Sequence, residues 1–252
     1  MIITYAMSPE WLSNTWLVAD KPGGSAVIVD AGAPTERILE KIERLRLNVT
    51  HVLLTHHHGD HTANASFYRQ RLGARVCGHE REAQFFRGLD LTLRDGQTIA
   101  TGDLRIRVLH IPGHTLGQSA FVMNDERVFT GDTLFRGSVG GTRAPGHTTF
   151  EDLQHSIMRV LMALPHSFPV HPGHMGPTTI GQEWETNPFI RLWRGLDEPA
   201  AIPCTSMGRR ATLLLRAPDY DGGTKCWVRF ADDGMLDVVP GSVTKEVREM
   251  AS

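Results

Sequence analysis

The run Thr55, His56, His57, His58, Gly59, Asp60, His61 constrains this chain more than any other feature. His56, His58, Asp60 and His61 fall within six positions, a density of metal-type side chains that ordinary packing does not explain. Residues two apart in extended chain face the same way, so His56 and His58 can hold one ion together while His57 points elsewhere. Gly59 permits a sharp change of direction, after which Asp60 and His61 can face a neighbouring ion. An apolar strand is expected at 49–54 and a helix at 62–72, which puts the chemistry at a strand-to-helix junction.

Further strands are expected at 104–110, 118–123, 127–130 and 168–170, each ending near a polar, Gly-rich loop. Those loops hold His114 and His174, each after Pro-Gly, and Asp132 after Gly131. Taken singly, each has an ordinary turn or packing explanation, as do His51, His110 and His166, which are assigned no role. The shared setting of strand end and turn singles out the first three. His114 would complete the first ion and His174 the second, while the two oxygens of Asp132 would bridge them. Such a pair of ions, sharing a water, lowers its pKa enough to supply hydroxide near neutral pH, with Asp60 orienting that nucleophile. Asp30, at the end of an apolar strand, is a candidate partner for a ligand histidine or a helix-start residue.

The 252 residues suit one large domain with a small attachment. A hairpin of strands at 12–19 and 26–29 opens the chain. A helix carrying Ile38, Leu39, Ile42 and Leu45, a strand at 74–77 and a helix at 148–163 complete the regular pattern. Residues 1–197 are read as the catalytic domain, 198–208, with Pro199 and Pro203, as a linker, and 209–252 as a small β-rich appendage. Strands are expected there at 213–216, 226–230 and 236–239, with Trp227 packing the appendage on the main domain. From residue 209 onward seven basic residues face seven acidic ones, and the whole chain has a formal charge of −2, so no nucleic-acid partner is expected. Apolar runs too short to span a bilayer argue against a membrane partner, which leaves a small-molecule substrate. Cys77, Cys204 and Cys226 show no pairing pattern, and no secretory leader is visible, so a cytoplasmic location is expected. Homo-oligomerisation is left open.

The Thr-His-x-His-x-Asp-His run at 55–61 resembles the metallo-β-lactamase superfamily. PGHTLG at 112–117, GDTLFRGS at 131–138 and PGHMGPTTIGQEWETNPF at 172–189 extend that likeness toward bacterial glyoxalase II type hydrolases, over roughly the first 190 residues. The resemblance implies an α/β chain folded as an αββα sandwich, here with a small C-terminal β appendage. It also implies a binuclear site on the ligands named above, usually filled by zinc and in some members by iron or manganese. The reaction it implies is hydrolysis of a glutathione thioester such as S-lactoylglutathione. The chain departs from that pattern at Gly141, where glutathione-specific relatives carry a basic residue, leaving Arg136 and Arg143 as candidates to bind a substrate carboxylate. It departs again at Met175 and Gly176, where those relatives have an acidic residue and a tyrosine, and in a tail of strands rather than helices. The alternatives are a lactone, β-lactam or other ester hydrolase on the same centre, a single-iron persulfide dioxygenase, and a non-enzymatic metal-binding interaction protein.

Overall fold

The computed structural model describes residues 1–247. Six strands form the first sheet in chain order: β1 (Ile2–Met7), β2 (Asn14–Ala19), β3 (Ser25–Val29), β4 (Asn48–Leu53), β5 (Arg75–His79) and β6 (Leu91–Leu93). β1 to β3 pair antiparallel through tight connections, and β3 to β6 pair parallel. The switch follows from the connections, because parallel neighbours need a crossover. Helix α1 (Glu36–Leu45) supplies it between β3 and β4, and α2 (Gly59–Thr62) with α3 (Ala65–Leu72) between β4 and β5.

The second sheet contains β7 (Thr98–Thr101), β8 (Leu104–His110), β9 (Ser119–Met123) and β10 (Arg127–Gly131) as an antiparallel meander. A small hairpin follows, β11 (Leu134–Phe135) with β12 (Ser138–Val139), and then helix α4 (Phe150–His155), which continues as a π-helical segment Ser156–Leu161. The chain returns as β13 (Pro169–Pro172), parallel to β10 and edged by β14 (Thr178–Thr179), before α5 (Ile180–Thr186) and α6 (Pro188–Trp193).

Alternation along the strands builds the layers. On β2 and β3, Trp16, Val18, Val27 and Val29 face the second sheet and meet Ile106, Val108, Phe121 and Phe129. Leu17, Ala19, Ala26 and Ile28 face the other way, onto Ile38 and Ile42 of α1 and Tyr68 of α3. Val122, Val128 and Val170 on the outer face of the second sheet pack against Leu153, Ile157, Phe189 and Ile190. The result is the αββα order expected from the sequence, with sheets of mixed direction.

The last part of the chain is an antiparallel sheet of β15 (Ile202–Ser206), β16 (Arg209–Pro218), β17 (Thr224–Phe230), β18 (Leu236–Pro240) and β19 (Thr244–Glu246), ordered β18-β17-β16-β15-β19. One face holds its own core of Cys204, Leu213, Cys226, Val228 and Phe230. The opposite face sends Ala217, Trp227 and Val238 into the core under α4 and α6.

Four local differences from the sequence reading have physical causes. β1 was not anticipated; its residues are half-buried, and pairing with β2 covers that edge. The helix expected at 62–72 starts earlier, inside the histidine run, and breaks at Ala63 and Asn64, where Asn64 N–H bonds Ala31 O. The helix expected at 148–163 starts at Phe150, capped by the Thr149 hydroxyl, and loosens into its π segment where Ser156 Oγ donates to Pro112 O. The segment 198–208, expected as a linker, carries β15. Its prolines suggested a loop, but β15 is held on both sides, by β16 and β19, and Pro203 O still accepts from Val247 N. All three cysteines are buried and free. No helix among the described residues is long and apolar enough to cross a membrane.

Candidate metal centre

The loops at one edge of the sandwich converge. β4 delivers Thr55 to His58, and the first turn of α2 carries Asp60 and His61. The loop after β8 brings His114, Asp132 directly follows the end of β10, and His174 lies two residues past the end of β13. Their donor atoms form three overlapping groups, each within 4.8 Å: His56, His58 and His114; His56, His61 and Asp132; Asp60, His61 and His174. Asp132 lies between the outer groups, with Oδ2 3.7 Å from His114 Nε2 and 3.2 Å from His174 Nε2, and Oδ1 3.3 Å from His61 Nε2.

The other side of four of the rings, His56, His58, His61 and His114, is tied down, which fixes which nitrogen faces inward. His56 Nδ1 lies 3.0 Å from Thr55 Oγ1, His58 Nε2 2.9 Å from Pro145 O, and His114 Nδ1 2.9 Å from Gly141 O. That leaves His56 Nε2, His58 Nδ1 and His114 Nε2 turned inward, the last two only 3.1 Å apart. Burial pushes the pKa of all three rings down, His114 to about 4, so they present lone pairs rather than charge. His61 Nδ1 lies 2.9 Å from Asp30, whose carboxylate also accepts from Thr55 N. Burial opposes charge on His61, but Asp132 and Asp30 outweigh it and raise its pKa. Burial likewise opposes charge on Asp132, yet His174 and His61 hold it well below the ordinary carboxylate range.

This constellation fits metal ions on its own chemistry. His56 Nε2, His61 Nε2 and Asp132 Oδ1 are buried without a hydrogen-bond partner, a costly state for three neighbouring polar atoms. Neutral imidazoles and carboxylates are the ligands that zinc and related divalent ions take. The backbone is cut to the same shape: a Cβ on Gly173 would lie 2.1 Å from Asp132 Oδ1 and 2.9 Å from His61 Cε1.

His57 stays outside these groups, hydrogen-bonded to buried Glu82 and stacked on Phe85. Glu82 also accepts from Thr115 Oγ1 and Gly117 N, and so fastens the loop that carries His114. His51 and His110 are committed elsewhere, to Thr50 and Arg75, and to a stack on His79. The two arginines expected to meet substrate are also occupied. Arg136 is exposed and donates to Pro177 O, while Arg143 pairs with buried Asp237 of β18 at the rim of the centre.

Sequence reasoning missed what the C-terminal sheet contributes. Its β16–β17 turn places Tyr220 flat on His174, with ring centroids 4.0 Å apart and planes 12° apart. Burial and the carboxylates of Asp132 and Asp219 keep the Tyr220 hydroxyl protonated. Lys225 donates to Val139 O and pairs with Asp219 at 3.0 Å. A cleft of about 340 Å³ opens here, beside His114 and Gly141, against Tyr220, Lys225 and Val238. No local motif announces these residues, because only tertiary packing brings them to the site.

The sequence pattern of the Metallo-beta-lactamase superfamily matches residues 8–185, which leaves the C-terminal sheet outside the match. Among curated relatives, the chain is 35% identical to the hydroxyacylglutathione hydrolase GloC of Haemophilus influenzae over 186 residues, covering 66% of this chain and 87% of that one. It is 33% identical over 180 residues to the "Probable polyketide biosynthesis zinc-dependent hydrolase BaeB" of Bacillus velezensis, covering 70% and 79% of the two chains. Among solved structures it is similar to TTHA1623 in a di-iron-bound form, with a TM-score of 0.63, 33% identity, and coverage of 74% of this chain and 100% of that one.

Proposed function

Since the chain belongs to the metallo-β-lactamase superfamily and is a metal-dependent hydrolase of that class, we propose that it cleaves a thioester on a binuclear centre, with a hydroxyacylglutathione as the reference substrate. The observation that carries this reading is the convergence of seven donor residues from four loops, with Asp132 placed between two histidine groups. His56, His58 and His114 would hold one ion and Asp60, His61 and His174 the other, with Asp132 shared. Two zinc ions suit this nitrogen-rich set; iron or manganese suits the oxygen-richer second group equally. When bound, the ions lower the pKa of a coordinated water and polarise an acyl carbonyl.

The protein's own groups do the rest. Asp60 is 25% exposed against 8% for Asp132, so Asp60 is the carboxylate that solvent reaches and the one assigned to orient the attacking water. Glu82, by fastening the Thr115–Gly117 loop, holds His114 in place. In the net reaction water adds to the acyl carbon, the C–S bond breaks, and the products are an acid and a thiol.

A second reading, a lactone or β-lactam hydrolase, draws on the charge of the cleft. Arg143 is matched by Asp237 and Lys225 by Asp219, so both cations lining the cleft already have partners. A matched panel decides between them: S-lactoylglutathione, S-acetyl-N-acetylcysteamine, an acyl-homoserine lactone and a chromogenic cephalosporin, compared by kcat/KM. Thioesters are expected to lead. A clear preference for the lactone or the lactam overturns the thioester assignment, and a single tightly bound iron per chain overturns the binuclear one.

A further inference from the structure

The C-terminal sheet lies outside the matched family segment, yet one of its turns reaches the metal centre. That turn is built to be rigid. Asp219 N bonds Gly223 O, Gly222 takes φ +81°, and Gly223 N bonds Asp221 Oδ1. It is also fastened to the sandwich immediately after Asp132: Ser138 Oγ donates to Asp219 Oδ1 at 2.9 Å, and Lys225 Nζ reaches both Asp219 and Val139 O. Between these anchors the Tyr220 ring rests on His174 and leans on Phe135, with centroids 5.4 Å apart.

Stacking alone would be served equally by phenylalanine. Tyr220 lines the same cleft as His114, and no group of the described residues hydrogen-bonds its hydroxyl, although the neighbouring polar groups of Asp219 and Lys225 are all engaged. A tyrosine O–H whose ring is fixed on two sides is a pre-oriented donor for a ligand, since little freedom is lost when the bond forms.

We propose that Tyr220, supplied by the C-terminal sheet, is a substrate-binding residue whose hydroxyl donates a hydrogen bond to a carbonyl oxygen of the substrate in the cleft beside His114. The ligand class is an acyl compound with a thioester or amide carbonyl, and a small one, because about 340 Å³ is near the lower limit for a ligand pocket. The assignment rests on the hydrolase reading but makes a separate claim about binding.

The test uses the full-length, zinc-loaded protein and two variants. Tyr220→Phe keeps the stack and removes only the hydroxyl; Tyr220→Leu removes both. Three quantities are measured: zinc content, kcat and KM for S-acetyl-N-acetylcysteamine, and calorimetric affinity for N-acetylcysteamine, the thiol product, which retains an amide carbonyl. Tyr220→Phe is expected to keep its zinc and to lose about tenfold in both kcat/KM and thiol affinity, the size of one hydrogen bond. Tyr220→Leu should lose at least as much. Unchanged affinity and turnover in Tyr220→Phe overturn the proposal and reduce Tyr220 to a cover for His174, whatever Tyr220→Leu does. If the wild type hydrolyses no thioester but Tyr220→Phe still weakens thiol binding, the thioester reading falls and the Tyr220 assignment stands.

Discussion

Asp132 has no close substitute in the centre. Its two oxygens face different histidines, Oδ1 toward His61 and Oδ2 toward His114 and His174, and its own buried charge is held by those rings. Asp132→Ala is therefore expected to lower occupancy of the second ion and kcat/KM together. The loss should exceed the roughly 10–100-fold that follows removal of an outer hydrogen-bond partner. Metal analysis beside kinetics checks this, and unaltered turnover would remove Asp132 from the centre. Asp30 gives a graded counterpart. It sits at φ 56°, a left-handed conformation that asparagine tolerates, so Asp30→Asn changes charge without forcing the backbone. Because Asp30 orients His61 and also accepts from Thr55 N, the variant should fold normally yet bind the second ion about 10–100-fold more weakly. A metal titration with unchanged affinity would show that Asp30 serves only the Thr55 turn.

Among the elements, β13 carries a pH-sensitive packing group. His171 is buried at the end of that strand, stacked on Phe129 at 4.6 Å and edge-on to Trp16 at 4.8 Å, with neither ring nitrogen hydrogen-bonded. Burial, reinforced by Arg127, lowers its pKa from 6.5 to about 4. Between those values the unfolded chain binds the extra proton, so this contribution to stability is complete above 6.5 and declines as pH falls toward 4. The ceiling is about 3 kcal/mol, at 1.36 kcal/mol per pKa unit. His171→Phe, which suits the aromatic slot, should flatten the fall in urea midpoint between about pH 7.5 and 5 relative to the wild type in the same metal state. Equal slopes would exclude His171 as a source. His171 also marks what the sequence conceals: the strand is visible as an apolar run, but the ring's setting depends on β2 and β10, distant in sequence. Elements with a strong period and clear turns, such as α1 and β8, were legible. The π segment was not, because its apolar stripe continues that of α4 and only the Ser156 bond to Pro112 O distinguishes it. The histidine run was legible because its spacing is local, whereas Tyr220 becomes a neighbour of His174 only through the packing of a separate sheet.

At the scale of the whole molecule, one face of the C-terminal sheet packs into the core of the sandwich, with Trp227 at the contact as expected. Trp227 stacks on Phe150 with centroids 5.5 Å apart and meets Trp193 edge-on, and Ala217, Leu215, Leu236 and Val238 fill the same core. Polar ties run alongside: Asp237 binds Thr142 and Arg143, and Lys225 binds Val139 O. A large apolar side chain contributes about 1.5–3 kcal/mol when fully buried. The four large ones on this face, even partly buried, thus rival the roughly 5–15 kcal/mol by which a domain is stable. A chain ending at residue 197 would leave Phe150 and Trp193 uncovered, an apolar patch of the kind that drives association. The full chain should therefore unfold in one transition, with tryptophan fluorescence, far-ultraviolet circular dichroism and metal release coinciding. The 1–197 fragment should aggregate or lose cooperative unfolding. Two separated transitions, or a fragment with the stability and kcat/KM of the whole, would instead show that residues 1–197 fold and act without the sheet. The physical reason to expect one transition is that the segment outside the family pattern completes the core and the cleft at the same contacts.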